Sequence, residues 1–457
     1  MEIVFRELAL FAACGFLLIA LDNLTIDLLW LRRTLRRTLR RFRGKPNNSR
    51  RMPAQLADNA VPGRHAVFIP AWDEANVIGP MLEHMARQFE GRNYRAFVGC
   101  YPNDPATIAE VKEVAERYPK ICLVICRKQG PTTKADCLNA LWKAMEAEED
   151  RSRTKFRSVI LHDAEDVVDP HEISLFDRMI GSHDLIQIPV IPLPDPNSAW
   201  IAGHYCDEFA EAHGKDLPMR SALGAAVPSA GVGCAIARSV LGDLAKQRGD
   251  VPFDKDSLTE DYELGLTLAQ QGCKGSFVRC HAGEDNDLIA VRAHFPATLG
   301  AALRQKTRWV AGISLFGWDR LGWDVGFADF WMRLRDRCTI LAALVLTAGY
   351  AAALLGLGLV IIASIFPVSF TPLPDYLAVL LSINFALLLW RLAMRAIFTA
   401  RVYGWRSAIT ALPRIVVSNV ISIMVARRAL TQYLLTRRGG RPAWEKTKHV
   451  FPAAKLR

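Results

Sequence analysis

The stretch Ser158-Val-Ile-Leu-His-Asp-Ala-Glu-Asp166 decides how the rest of this sequence is understood. A short apolar run ends in three carboxylates, Asp163, Glu165 and Asp166. Like charges crowded at the end of a buried strand repel one another and need solvent or a counter-ion. Hard divalent cations prefer such oxygen ligands, and open parallel sheets keep their sites at the carboxyl ends of strands. A solvated acidic turn with a helix cap is the plain alternative. The surrounding sequence argues against it.

Around that stretch, short apolar runs alternate with helical patterns from His65 to about Val190. The runs are Ala66–Pro70, Ala96–Cys100, Ile121–Cys126, Val159–Leu161 and Asp184–Pro189, and between them apolar residues such as Val77, Met81, Leu82 and Met85 recur at helical spacing. Strands alternating with helices predict an open α/β sheet with mostly parallel strands. Because the strands are apolar throughout, both sheet faces should be covered. Neither G-x-G-x-x-G nor a Walker A loop follows the first strand, and Gly231-Val-Gly233 is too short to count as either.

The 457 residues are 51% apolar with a net charge of +11, and the mean hydropathy is +0.11, which predicts membrane segments joined to a globular part. Leu8–Leu31 is long enough to cross a bilayer. It is followed by nine arginines and Lys45 between Arg32 and Arg51, a juxtamembrane topology signal that contacts anionic lipid rather than nucleic acid. The bulk of the chain is therefore expected on the cytoplasmic side. Asp22, Asn23 and Asp27 are expected to meet another helix or to lie at the interface. Ile340–Phe366 and Tyr376–Trp390 predict two further spans. Ile409–Ala426, with Pro413, Arg414 and Asn419 inside it, is expected to lie in the cytoplasmic interface. The expected division is 1–51 (helix and basic segment), 52–335 (cytoplasmic domain) and 336–457 (membrane helices and basic tail). The ten cysteines form no C-x-x-C pair, so neither a zinc site nor a disulfide framework is expected.

Three more groups bear on chemistry. Phe68–Asn76 ends in Asp73 and Glu74, and the next strand ends in Asn103-Asp104. Carboxylates at adjacent strand ends can accept from a base edge and a ribose hydroxyl, or can cap helices. Leu258-Thr-Glu-Asp-Tyr-Glu263 opens a helix whose positive end suits Glu260 and Asp261, as caps or as a proton acceptor, with Thr259 placed to cap. Arg304-Gln-Lys-Thr-Arg-Trp309 places Gln305, Arg308 and Trp309 on one helical face. A guanidinium beside an indole suits a phosphate next to a sugar, and equally suits a membrane interface.

In series, Asp73-Glu74, Asp104, Lys134, Asp163-Ala-Glu165, Thr259-Glu-Asp261 and Gln305-x-x-Arg-Trp309 resemble the family 2 inverting glycosyltransferases of the GT-A fold. The resemblance covers about residues 65 to 315. More narrowly, Tyr101-Pro-Asn-Asp-Pro105, His294-Phe-Pro-Ala-Thr298 and Trp444-Glu-Lys-Thr-Lys-His449 are similar to the inner-membrane phage-adsorption protein B group. The resemblance implies that Asp73, Glu74, Asp104, Lys134 and Asp163 hold a nucleotide sugar, UDP-linked. It places Asp163 and Glu165 where the family has Asp-x-Asp on Mg²⁺ or Mn²⁺. The second acid is Glu here, which leaves Asp166 open as a replacement ligand. Asp261 matches the general base, with Glu260 beside it. Gln305, Arg308 and Trp309 match the diphosphate clamp and acceptor-stacking element.

The expected activity is transfer of sugar to a growing exopolysaccharide by a multi-pass enzyme of the bacterial inner membrane, with the lipid bilayer and an outer-membrane export protein as its partners. Relatives of this kind can carry a C-terminal domain that binds cyclic di-GMP, and none is expected after Trp444. Two rivals stand beside this reading. One is a polyprenyl-phosphate glycosyltransferase making a lipid-linked sugar. The other is a non-enzymatic envelope scaffold or phage-receptor subunit.

Overall fold

In chain order the strands of the computed structural model are β1 (His65–Pro70), β2 (Tyr94–Cys100), β3 (Ile121–Ile125), β4 (Ser158–Leu161), β5 (Leu185–Gln187), β6 (Val190–Leu193), β7 (Cys234–Ala237), β8 (Gly275–Phe277), β9 (His281–Ala282), β10 (Asp287–Leu288) and β11 (Val291–His294). The structure describes residues 1–42, 63–282, 287–323, 325–367, 371–437 and 450–452. Trp444–His449 and much of the basic block after Phe42 lie outside them.

Seven strands form one sheet in the order β3-β2-β1-β4-β7-β5-β8. The pairings are parallel except around β7, which runs antiparallel to both β4 and β5. That reversal positions the site. Leu161, the last residue of β4, pairs with Cys234, the first of β7, so the Gly231–Gly233 loop enters beside the acidic stretch.

Both sheet faces are covered, as all-apolar strands require. One layer packs Val67, Ile69, Met81, Met85 and Phe176. The other packs Phe68, Phe97, Leu138, Trp142 and Leu264. Within the run Asp184–Pro189, Leu185–Gln187 forms β5 in the main sheet, and β6, which follows the run, pairs with β11 in a separate ribbon. All ten cysteines are free.

Among the described residues four helices are long and apolar enough to cross a membrane: Glu2–Arg40, Thr339–Ile365, Asp375–Tyr403 and Trp405–Arg437. The first and second pack closely, because Gly349 lets the Phe16 ring reach the backbone; a Cβ there would sit 2.6 Å from that ring. Ile409–Ala426 forms part of the 33-residue helix Trp405–Arg437, which runs through Pro413.

The polar residues of the first helix do meet other elements, as expected. Asp22 accepts from Trp331 Nε1 at 2.7 Å and pairs with Arg335, whose Nη2 also donates to Asn23. Asp27 accepts from Lys215 Nζ at 2.5 Å and from Trp390 Nε1 at 2.9 Å. Lys215 belongs to a π-helical turn, Ala212–Asp216, that continues the helix Ile201–Glu211. One face of that helix carries Asp207, Glu208 and Glu211. Asp207 takes Arg414 at 2.7 Å, Glu208 takes Lys306 at 2.5 Å, and Glu211 takes Lys215, Arg391 and Arg395. The globular domain is thus tied to the membrane helices through ion pairs.

Candidate active site

The acidic stretch sits at the carboxyl edge of the sheet, where β4 ends. Asp163 and Glu165 are half-buried, whereas Asp166 is buried. Asp166 Oδ2 accepts from the Asp163 backbone N–H at 3.0 Å and faces His162 Nδ1 at 3.0 Å. His162 Nε2 lies 2.7 Å from Glu172 Oε1. With a carboxylate against each ring nitrogen, both nitrogens donate and His162 is an imidazolium. Burial opposes that charge, but Glu172 and Asp166 overcome it and push the ring up to about 10. Asp166 therefore braces the loop from inside, and Glu165 beside it is half-buried.

Lys134 opens the helix Lys134–Ser152, whose start is capped by Thr133 accepting from the Asp136 N–H. Its Nζ lies 2.5 Å from Asp163 Oδ1 and 3.5 Å from the carbonyl of Gly231. Burial alone would lower this ammonium. The carboxylates of Asp163, Glu260 and Asp261 around it raise it instead.

Glu260 and Asp261 begin the helix Glu260–Gln270. Both are half-buried. Desolvation, helped by Asp261, pushes Glu260 up to about 7. Desolvation raises Asp261 as well, against the pull of Lys134 and Arg308, with Asp163 adding to the rise. Gly231 has φ +71°, and a Cβ there would lie 2.6 Å from Asp261 Oδ2. Only glycine lets the β7 entry loop pass so close to that carboxylate.

Thr259 stands at the N-cap position but caps nothing: its Oγ1 is buried and makes no hydrogen bond. Gly312 explains its place, since a Cβ there would meet Thr259 Oγ1 at 2.5 Å. Gly312 lies in a second π-helical turn, Ala311–Phe316, directly after the helix Leu299–Val310 that carries Gln305, Arg308 and Trp309. The two functional helices touch through a threonine and a glycine. Arg308 acts on both Glu260 and Asp261. Gln305 Oε1 is buried without a hydrogen bond. Trp309 packs edge-on against Tyr205 and Phe295, with ring centres 6.3 and 6.5 Å away, and next to Phe209.

Asp73, Glu74 and Asp104 sit at the ends of β1 and β2. Asp104 is buried and does cap a helix, accepting from Thr107 N–H at 3.3 Å in Pro105–Arg117; its other oxygen takes the Asp73 N–H at 2.6 Å. Its carboxylate therefore holds the β1 loop in shape, with Asp73 exposed at φ +55°. Glu74 is buried, and its N–H donates to Thr107 Oγ1. Beside them Trp72 packs edge-on against Tyr101 at 5.2 Å and covers Gly130, which Asn103 grips through both its N–H and its carbonyl.

Apart from Glu165, Gln305 and Trp309, the site residues named from sequence thus divide into two groups. Lys134, Asp163, Glu260, Asp261 and Arg308 converge on one patch of the edge; Asp73, Glu74 and Asp104 line the β1–β2 end. His162, Gly231 and Gly312 escaped sequence reasoning. Only Gly231-Val-Gly233 left a trace there, as a motif too short to interpret. Among the described residues no group of three or more His, Cys, Asp or Glu side chains forms a metal cage. Two half-buried carboxylates beside a cationic patch still fit a cation that keeps waters and shares a phosphate, as Mg²⁺ does.

The sequence matches the family described as glycosyltransferase like family 2 over residues 62–312. Bacteriophage adsorption protein B of Escherichia coli K12 is 36% identical over 469 residues, covering 98% of this chain and 62% of its own length. Bacteriophage N4 adsorption protein B of Escherichia coli O157:H7 gives the same figures. The chain therefore spans about three fifths of the length of these relatives. Among solved structures, the mannosyltransferase PcManGT from Pyrobaculum calidifontis, in complex with GDP-Man and Mn2+, aligns with a TM-score of 0.56 at 15% identity, over 93% of this chain and 99% of that one. That likeness is one of fold, and it extends beyond the sheet into the membrane helices. With the sheet order and the family match in agreement, this chain belongs to the glycosyltransferase like family 2.

Proposed function

We propose that this protein is an inverting glycosyltransferase that moves sugar from a nucleotide sugar, UDP-linked, onto a growing exopolysaccharide at the cytoplasmic face of a bacterial inner membrane. The observation that carries the reading is the convergence of Lys134, Asp163, Glu260, Asp261 and Arg308 at the end of β4. Breaking a sugar–diphosphate bond builds negative charge on the leaving group. Arg308 and Lys134 are the fixed cations that meet it. Attack by an acceptor hydroxyl releases a proton, which Asp261 takes; its raised pKa makes it a better base than an ordinary aspartate. Trp309 and its aromatic neighbours offer an apolar wall for the acceptor ring. Asp163 and Glu165 would hold Mg²⁺ or Mn²⁺, which supplies further charge neutralisation on the diphosphate. The base lies against Trp72, beside Asp73, Glu74 and Asp104.

The helix Trp405–Arg437 lies along the cytoplasmic interface rather than crossing. Supporting this, residues along its length touch the globular domain: Arg414 with Asp207, Ser418 with Glu208, Tyr433 with Asp319. Three remaining spans are few for a polymer channel, so an outer-membrane export protein is the expected partner. The name of the curated relatives favours one second reading, a part in phage adsorption, which does not require the site.

The test is full-length protein in lipid nanodiscs, given UDP- and GDP-sugars with Mn²⁺ or Mg²⁺. Release of nucleoside diphosphate together with a product that resists organic extraction is expected. A single sugar partitioning into the organic phase would convert the reading to polyprenyl-phosphate transfer. Neither release nor nucleotide binding would overturn it.

A further inference from the structure

A single residue next to the second apolar helix ties together four elements around the proposed base. Asp336 lies in the last turn of the helix Phe327–Arg337, just before Thr339–Ile365 begins. Its Oδ2 accepts from Arg220 Nη1 at 2.7 Å and from Tyr262 Oη at 2.8 Å. Its backbone carbonyl accepts from Ser314 Oγ at 2.9 Å and from Thr339 Oγ1 at 3.0 Å. Ser314 belongs to the π-helical turn that follows Gln305, Arg308 and Trp309, and Tyr262 directly follows Asp261.

The line from Asp336 to the base is short. Tyr262 is buried and packs with Ala226 and Leu266. Its backbone N–H donates to Asp261 Oδ1 at 2.8 Å, while Asp261 Oδ2 is the oxygen that lies beside Gly231. The orientation of the carboxylate therefore follows from where residue 262 stands. One turn on from Asp261, Gly265 lets the same helix lie on the loop before β7, since a Cβ there would sit 2.5 Å from the Val227 carbonyl oxygen. That loop is held by the same group of residues. Arg220 Nε donates to the Ala226 carbonyl at 2.6 Å, and Asp329, in the helix of Asp336, accepts from the Ala226 N–H at 3.3 Å.

We propose that Asp336 is a positioning residue for sugar transfer: through the Tyr262 hydroxyl it holds the first turn of Glu260–Gln270, and with it the Asp261 carboxylate, where an acceptor hydroxyl can reach it. The inference rests on the reading of Asp261 as the proton acceptor. A phenylalanine would fill the space of the Tyr262 ring; the phenol adds a directed bond. A reacting group displaced by about 1 Å can lose about 10²-fold in rate, so one remote hydrogen bond is enough to set turnover. The plain alternative is that Asp336 serves only to neutralise the buried Arg220.

The two donors on Asp336 Oδ2 allow these roles to be separated in full-length protein in nanodiscs. Tyr262→Phe removes the tie and leaves the Arg220 pair. It should lower kcat about 10–100-fold, with KM for the nucleotide sugar unchanged and a melting temperature close to that of the parent chain. Asp336→Ala should lower kcat as far and also melt earlier, because Arg220 is stranded. Asp336→Asn keeps an acceptor oxygen for Tyr262 but no charge for Arg220. It should regain most of the turnover lost in Asp336→Ala while still melting early. The double variant Tyr262→Phe/Asp336→Ala should turn over no more slowly than Asp336→Ala alone, since both break one line of contacts. A kcat that tracked melting temperature across the set, or a Tyr262→Phe variant with raised KM and normal kcat, would overturn the proposal. An active parent chain beside an unimpaired Tyr262→Phe would overturn it while sparing the role of Asp261; a parent chain that turns over no nucleotide sugar would overturn both.

Discussion

Two sets of acids withdrawn from solvent in this molecule have opposite fates. At the sheet edge, Glu260, Asp261 and Asp163 share Lys134 and the more distant Arg308, and the pKa values of Glu260 and Asp261 are raised. At the joint with the membrane helices, Glu211 is buried and Glu208 half-buried. There burial is outweighed by Lys306 and Arg395, which pull Glu208 down to about 2, and by Arg391, Arg395 and Lys215, which lower Glu211. The joint is neutralised by the protein's own cations, whereas the edge is left short of positive charge. An incomplete charge balance in a cleft is a sign of a working site, and a complete one is a sign of architecture.

The comparison can be broken most severely at Asp261. Asp261→Asn removes the proton acceptor while relieving repulsion, so sugar transfer should fall roughly 10²–10⁴-fold with folding intact, as read by nucleoside diphosphate release alongside thermal unfolding. Normal turnover would dismiss the assignment of the base. At the joint the same kind of change should act on stability instead. Glu211→Ala strands Lys215, Arg391 and Arg395 without their shared carboxylate and should destabilise by about 3–5 kcal/mol, measured by thermal unfolding in detergent.

The third test uses pH. Glu260 holds its proton more tightly folded than unfolded, so its contribution to stability is present at low pH and lost as pH rises from 4.5 towards about 7. Glu260→Gln should flatten the fall in melting temperature across that window. The joint acids, shifted the other way, should leave Glu208→Gln without any such gain at neutral pH. The smallest effect belongs to a solvent-exposed pair: Lys246→Ala, which breaks a 2.9 Å contact to Asp243, should change stability by no more than about 0.5 kcal/mol.

Much of this was legible in the sequence because it depended on local pattern. All-apolar strands required two covered faces, and the acids at the ends of β1, β2 and β4 fell at one edge. Asp22 and Asp27 announced polar contacts by their position in an apolar segment. What was hidden depended on distant pairing. The antiparallel β7 cannot be read from Cys234–Ala237, yet it brings Gly231 beside Asp261. Asp166, left open as a replacement metal ligand, is buried against His162, which stands between two carboxylates. Thr259 had the residue type of a cap but serves as a contact surface for Gly312. The acids of Ile201–Glu211 gave no signal, since their cations other than Lys215 lie about one hundred to two hundred residues further on.

The acidic face of Ile201–Glu211 also limits how the protein can be handled in the laboratory. Trimming the chain after Leu321 to obtain a soluble catalytic fragment would delete Arg391, Arg395 and Arg414 and leave Asp207 and Glu211 unbalanced against bare apolar surface. A water-soluble derivative calls for redesigning that helix with neutral side chains. Purification in detergent, with the whole chain kept together, is the simpler route.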